Sequence, residues 1–132
     1  MEGERIILGL TEEVTIFGNH TDSEMLRARI DTGATSSSID EKLAEKLRLG
    51  PIIGKKLVKS ASGHEMRDLV IVEVIIKGQK IKAQFSIANR NNMTYPALIG
   101  QNILIKGRFI VDPLKNDEKE SSDNNFHVES EL

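Results

Sequence analysis

Between Met66 and Ile87 the chain carries a pattern that leaves little freedom of fold. Val70, Val72, Val74 and Ile76 recur at every second position, the period of a strand with one buried face. Leu69, Ile71 and Ile75 fall partly on the other face. Lys77-Gly78-Gln79 supplies a hairpin turn, and Ile81–Ile87 returns as the partner strand. Branching at Cβ stiffens these side chains and favours the pleated sheet over the helix. The remaining segments offer little helix to cover such a hairpin. The sequence therefore predicts an all-β fold, a small closed antiparallel barrel with one or two short helices.

Shorter runs fill in the rest. Arg5–Leu10 and Val14–Phe17 are β-prone. Leu26, Ala28 and Ile30 alternate with Arg27 and Arg29, which predicts a strand with one apolar and one charged face. Ile39, Leu43 and Leu47 stand four apart and predict a short helix over Asp40–Leu49. Ser38 is its expected N-cap, with Glu41 completing a capping box, and Gly50-Pro51 its stop. Lys56–Ser60 reads as a short strand and Ala61-Ser62-Gly63-His64 as a turn. Asn89–Met93 is a polar loop, Ala97–Gly100 a strand, Gln101–Lys106 one or two helical turns, and Phe109–Val111 a last strand. Lys55, Lys56, Lys77, Lys80 and Lys82 read as edge and hairpin lysines that discourage wrong strand pairing.

Composition narrows the function. The chain has 132 residues, 39% of them apolar and 4% aromatic, and no cysteine. Disulfides, thiolate metal sites and cysteine nucleophiles are excluded. With 18 basic and 20 acidic residues the net charge is −2, so no global pull toward nucleic acid or an anionic membrane is expected. No apolar run is long enough to span a bilayer, and the N-terminus does not read as a signal peptide, so a cytoplasmic location is expected. Charge is uneven. Residues 115–132 hold six acidic residues against two lysines and read as an acidic disordered tail, leaving 1–114 as the one domain.

One constellation carries chemistry. Asp31-Thr32-Gly33 follows directly on the apolar strand ending at Ile30. Gly33 permits a tight turn, and strand and turn together hold the carboxylate rigidly. That suits aspartic proteolysis, in which two carboxylates share one proton and act as base and acid on a water and a carbonyl. The triplet alone is a weak signal, since a turn aspartate with no catalytic role has the same letters. The histidines, His20, His64 and His127, form no metal-binding motif, and no phosphate-binding glycine motif occurs; the residues imply no cofactor and no metal.

The surroundings of Asp31 resemble the retroviral-type aspartic proteases, or retropepsins. The resemblance rests on Asp31-Thr32-Gly33-Ala34 after an apolar strand, and on Ala97-Leu98-Ile99-Gly100-Gln101-Asn102-Ile103-Leu104 opening a short helix. More closely, the chain resembles a bacterial and archaeal retropepsin-like family labelled ATP-dependent zinc protease and associated with RimK-type ATP-grasp ligases. That resemblance spans roughly residues 10–113. It rests on Arg29-Ile30-Asp31-Thr32-Gly33-Ala34-Thr35-Ser36-Ser37, Tyr95-Pro96-Ala97-Leu98-Ile99-Gly100-Gln101, Gly107-Arg108-Phe109-Ile110-Val111-Asp112-Pro113, Arg67 and Asn89-Arg90.

The resemblance implies a retropepsin-like acid protease fold and a homodimer with Asp31 from each chain as the catalytic pair. Thr32 would lock the two turns together and Gly33 would be the turn glycine. Ser36 or Ser37 would supply supporting hydrogen bonds. It implies a flap at Ser60-Ala61-Ser62-Gly63-His64 and substrate contacts from Ala34, Arg67, Arg90 and Leu98. The expected substrate is a peptide or protein, with acidic or polyglutamate peptides suggested by the ligase association and a functional link to that ligase. Any ATP dependence would belong to the ligase. Arg27 and Arg29 are either a solvated strand face or, with Arg67 and Arg90, part of a basic cleft. Two positions depart from the retroviral pattern. Thr35 and Gln101 stand where those enzymes pair Asp with Arg, so a neutral hydrogen bond is expected in place of the ion pair. The alternative reading is a non-catalytic dimeric β-barrel that binds peptides or assembles a complex. A domain of about 114 residues with one Asp-Thr-Gly has no room for two lobes.

Overall fold

The computed structural model describes residues 3–19, 22–60 and 63–115, with the side chain of Ser60 left out. Nine strands and two short helices are described: β1 (Ile7–Leu8), β2 (Thr11–Phe17), β3 (Ser23–Ile30), β4 (Ser37–Asp40), α1 (Glu41–Lys46), β5 (Gly54–Ser60), β6 (Gly63–Ile76), β7 (Gln79–Ala88), β8 (Ala97–Ile99), α2 (Gln101–Lys106) and β9 (Ile110–Val111). The sheet runs β2-β3-β8-β4-β7-β6-β5, and a further pairing of β2 with β6 closes six of these strands into a barrel. β5 lies outside the ring, paired among the described residues with β6 alone.

The hairpin that dominates the sequence dominates the barrel. β6 and β7 pair from Leu69↔Ser86 to Ile76↔Gln79. Lys77 and Gly78 both take positive φ, 49° and 80°, the geometry that matches the twist of a two-residue hairpin. Val70, Val72, Val74 and Ile76 are buried as their spacing predicts, and Ile71 stays exposed. Val14 and Ile16 of β2, Ala28 and Ile30 of β3, Phe85 of β7 and Ile99 of β8 belong to the same core, which Leu43 of α1 and Ile103 of α2 also join.

Most pairings are antiparallel, but three are parallel: β1 with β9, β3 with β8, and β4 with β7. The helix expected over Asp40–Leu49 is shorter, Glu41–Lys46, and its cap differs. Asp40, not Ser38, caps it, accepting from the Lys42 backbone N–H at 3.1 Å. Ser38 is committed elsewhere: it lies in β4, opposite Ser86 and Leu98, and its Oγ accepts from Arg90 Nη1 at 3.2 Å. The turn expected at 61–64 is described in its second half. Gly63 and His64 begin β6, and Ala61 and Ser62 lie outside the described residues. So do His20, His127 and nearly all of the acidic tail.

Candidate functional site

The Asp31 turn is fixed from both sides. The Asp31 backbone N–H donates to the Ile99 carbonyl at 2.9 Å, which extends the parallel pairing of β3 and β8 by one bond. The Ala34 N–H donates back to the Asp31 carbonyl at 3.3 Å. Asp31 Oδ1 accepts from the Gly33 N–H at 2.9 Å, and a Cβ on Gly33 would stand 3.3 Å from that same oxygen. A carboxylate so held loses little conformational entropy when it acts on a bound group. Asp31 is half-buried, and Thr32 and Gly33 are exposed at the tip of the turn.

β8 and α2 form the support behind it. A Cβ on Gly100 would collide with the carbonyl oxygens of Ser36 and Ala34, so only glycine lets this backbone approach the turn. Gln101 N–H donates to the Ala34 carbonyl at 2.8 Å and Asn102 N–H to the Thr35 carbonyl at 3.2 Å. Ser37 Oγ, buried, accepts from the Gly100 N–H at 2.9 Å and donates to Asn102 Oδ1 at 2.8 Å; Asn102 Nδ2 donates to the Gln84 carbonyl. The Gln101 side chain donates to the Thr32 carbonyl at 2.7 Å. A neutral hydrogen bond from Gln101 is therefore present, directed to the aspartate turn rather than to Thr35.

Beside the turn runs a groove of about 440 Å³. Gly33, Ala34, Ser36, Ser38, Ser86 and Leu98 line it together with Lys56, Val58 and Arg67 of the β5–β6 hairpin. Lys59 and Arg90 line it as well, so among the described residues it carries four cations and no acidic lining residue. Lys56 Nζ donates to Ser36 Oγ at 2.8 Å, tying the hairpin to the turn. This gives Lys56 a place beyond that of an edge lysine, one that local spacing does not reveal. Arg67 Nε pairs with Glu65 at 2.7 Å. Arg90 is held by the Tyr95 carbonyl, Ser38 Oγ and, through its backbone N–H, Asp40. Burial pushes the Arg90 guanidinium below its ordinary pKa; Arg67 and Arg29 push the same way, while Asp40 and Asp31 oppose them. It stays protonated all the same.

The structure thus brings Ala34, Arg67, Arg90 and Leu98 to one groove beside Asp31, Thr32 and Gly33. His64 is exposed near the hairpin tip, and Gly63 lies next to it. Arg29 is within electrostatic reach of Arg90, whereas Arg27 turns to Thr11 Oγ1 at 3.0 Å. A smaller hollow of about 290 Å³, between Phe17, Leu49, Ile71 and Lys82, touches none of the turn residues.

A family model described as "RimB-like: Retropepsin-like aspartic endopeptidase RimB" matches residues 39–121, more than half of the chain. The chain belongs to the RimB-like family. This corrects the closer resemblance drawn from the sequence. The matching family is described as an aspartic endopeptidase, and among the described residues no group of three or more His, Cys, Asp or Glu side chains stands together as a metal site would require. No curated protein matches the chain.

The RimB-like barrel has solved counterparts. A Legionella pneumophila protein of unknown function is 20% identical, with a TM-score of 0.62, covering 87% of this chain and 98% of its own. The EIAV protease bound to the inhibitor HBY-793 is 24% identical, with a TM-score of 0.58, covering 73% and 85%. The simian foamy virus protease is 22% identical, with a TM-score of 0.53, covering 72% and 91%. At these identities the likeness is one of fold: a small, mostly β, closed six-stranded barrel with two short helices, as the sequence predicts. No helix among the described residues is long and apolar enough to cross a membrane.

Proposed function

We propose that this RimB-like chain is an aspartic endopeptidase whose catalytic pair is Asp31 and the partner subunit's Asp31. The observation that carries the reading is the placement of Asp31 on a glycine turn, beside a groove lined in part by a β-hairpin. One carboxylate takes a proton from a water, the water oxygen bonds to the scissile carbonyl carbon, and the other carboxyl protonates the carbonyl oxygen to give a diol. Collapse of the diol breaks the C–N bond, and a protonated carboxyl delivers a proton to the departing amine. Thr32 positions the turns across the axis. The substrate lies extended, adding backbone hydrogen bonds to the hairpin. The cationic lining of Lys56, Lys59, Arg67 and Arg90 supports acidic peptides as the substrate class, and a functional link to an ATP-grasp ligase belongs to the same proposal.

Asp31→Asn should lower peptide cleavage by at least about 10²–10⁴-fold while the dimer persists; full activity in the purified variant sinks the assignment. A crystal structure of the dimer should place the two Asp31 carboxylates about 3 Å apart.

The second reading, a non-catalytic dimeric barrel that binds peptides or assembles a complex, has two observations in its favour. The family match begins at residue 39, beyond the Asp31 turn, and the fold likeness concerns the barrel alone. Binding of acidic peptides with no cleavage at any pH, and widely separated Asp31 carboxylates, would establish it.

A further inference from the structure

Among the described residues, four cations line the groove and no acidic residue does. Arg67 pairs with Glu65, Lys56 bonds a hydroxyl, and Arg90 feels Asp40 and Asp31 as well as Arg29 and Arg67; four lining cations against these three carboxylates leave an excess of positive charge. The same chain holds the opposite charge in one stretch: residues 116–132 contain six acidic residues and one lysine. This stretch starts from a fixed point. Lys115 Nζ pairs at 2.7 Å with Glu12 Oε2, a buried carboxylate of β2, and the Lys115 N–H donates to the Asp112 carbonyl.

We propose that residues 116–132 occupy the basic groove of their own chain and compete there with any acidic peptide. The inference rests on reading the groove as the place where a peptide lies; it does not require that the peptide be cut. Seventeen residues extend to roughly 55–60 Å at full stretch. A domain of this size has a radius of gyration near 13 Å, so it measures roughly 35 Å across. The segment can therefore reach any point on the surface from Lys115. Tethering places it at an effective concentration on the order of millimolar, which makes even a weak charge-driven contact populated. Opposite charge supplies attraction and register without demanding a shaped apolar pocket. Asp117, Glu118, Glu120 and Asp123 carry most of this charge, with Lys119 opposing it. Salt should release the segment, because exposed charges are screened within about 10 Å at 0.1 M.

The test uses the full chain. A zero-length carbodiimide joins a lysine amine to a carboxylate only where the two touch. In the wild-type protein, mass spectrometry of the monomeric band should find Lys56 or Lys59 joined to a carboxylate of 117–123. A second measurement compares the full chain carrying Asp31→Asn with the same chain also carrying Asp117→Asn, Glu118→Gln, Glu120→Gln and Asp123→Asn. The probe is a fluorescent synthetic peptide of sequence 116–132. Neutralising the segment should tighten probe binding about tenfold at low salt, and the difference should vanish at high salt. Equal affinities overturn the proposal, as does the absence of such cross-links. Cross-links found only between two chains overturn it too, because the occupant would then be a second copy's segment. Neither readout involves cleavage, so failure of the protease reading and failure of this one are separable.

Discussion

Glu12 is 1% exposed, and both lysines beside it keep contact with water. Its Oε2 accepts from the Gly9 N–H and from Lys115, each at 2.7 Å; its Oε1 has Lys77 Nζ at 3.4 Å and no hydrogen bond among the described residues. Removing a partner should hurt more than removing the pair. Lys115→Met leaves a buried carboxylate with weaker compensation and should cost about 3 kcal/mol in denaturant unfolding. Glu12→Gln with Lys115→Met should cost less than the single change, by a double-mutant cycle. Gln101 is the other residue whose neighbour the sequence conceals. Gln101→Ala should cost about 1 kcal/mol through the lost bond to the Thr32 carbonyl. Gln101→Glu should cost more, since acceptor then faces acceptor. The Asp31 turn was legible because it is local: strand, carboxylate and glycine are consecutive. Gln101 and Lys56 were not, because their partners lie 69 and 20 residues away.

At the level of elements, β4 shows how local propensity is overruled. Ser38 reads as a helix cap, since serine hydroxyls compete for nearby backbone groups, yet it lies inside the strand. Here the Ser37 hydroxyl is spent on Gly100 and Asn102, and the strand is held by β7 on one side and β8 on the other. The long hairpin was readable because its period of two runs for many residues; the parallel seams were not, because their pairing is set by distant segments. The close approach of β8 to the Asp31 turn gives a sharp expectation. Gly100→Ala should destabilise the protein by about 1–3 kcal/mol and reduce any activity of Asp31 beyond what stability loss explains. Chemical denaturation read beside turnover per folded molecule separates the two. In the β5–β6 hairpin, Lys56→Met removes the tie to Ser36 and should raise amide exchange along Gly54–Ser60 with little effect on global stability. Among the described residues β5 pairs with β6 alone, so without that tie it is the strand most free to open.

At the level of the molecule, the barrel is closed by pairs far apart in the chain. β2 meets β6 through Val14↔Ile76, and β1 meets β9 through Ile7↔Ile110. The dimer proposed for Asp31 belongs to this scale as well: sedimentation should show a mass that doubles with concentration, and Asp31→Asn should leave that association in place. The β1–β9 seam has a consequence for how the chain reaches its fold. A strand at residue 7 waits for one at residue 110, and the Glu12 carboxylate stays without Lys115 until the same moment. Contacts of such long separation make folding slow, in the range of milliseconds to seconds. During synthesis β2 emerges just ahead of its partner β3, whereas β1 emerges about a hundred residues ahead of β9. Until β9 is made, β1 lacks its pairing strand and Glu12 lacks its Lys115 partner.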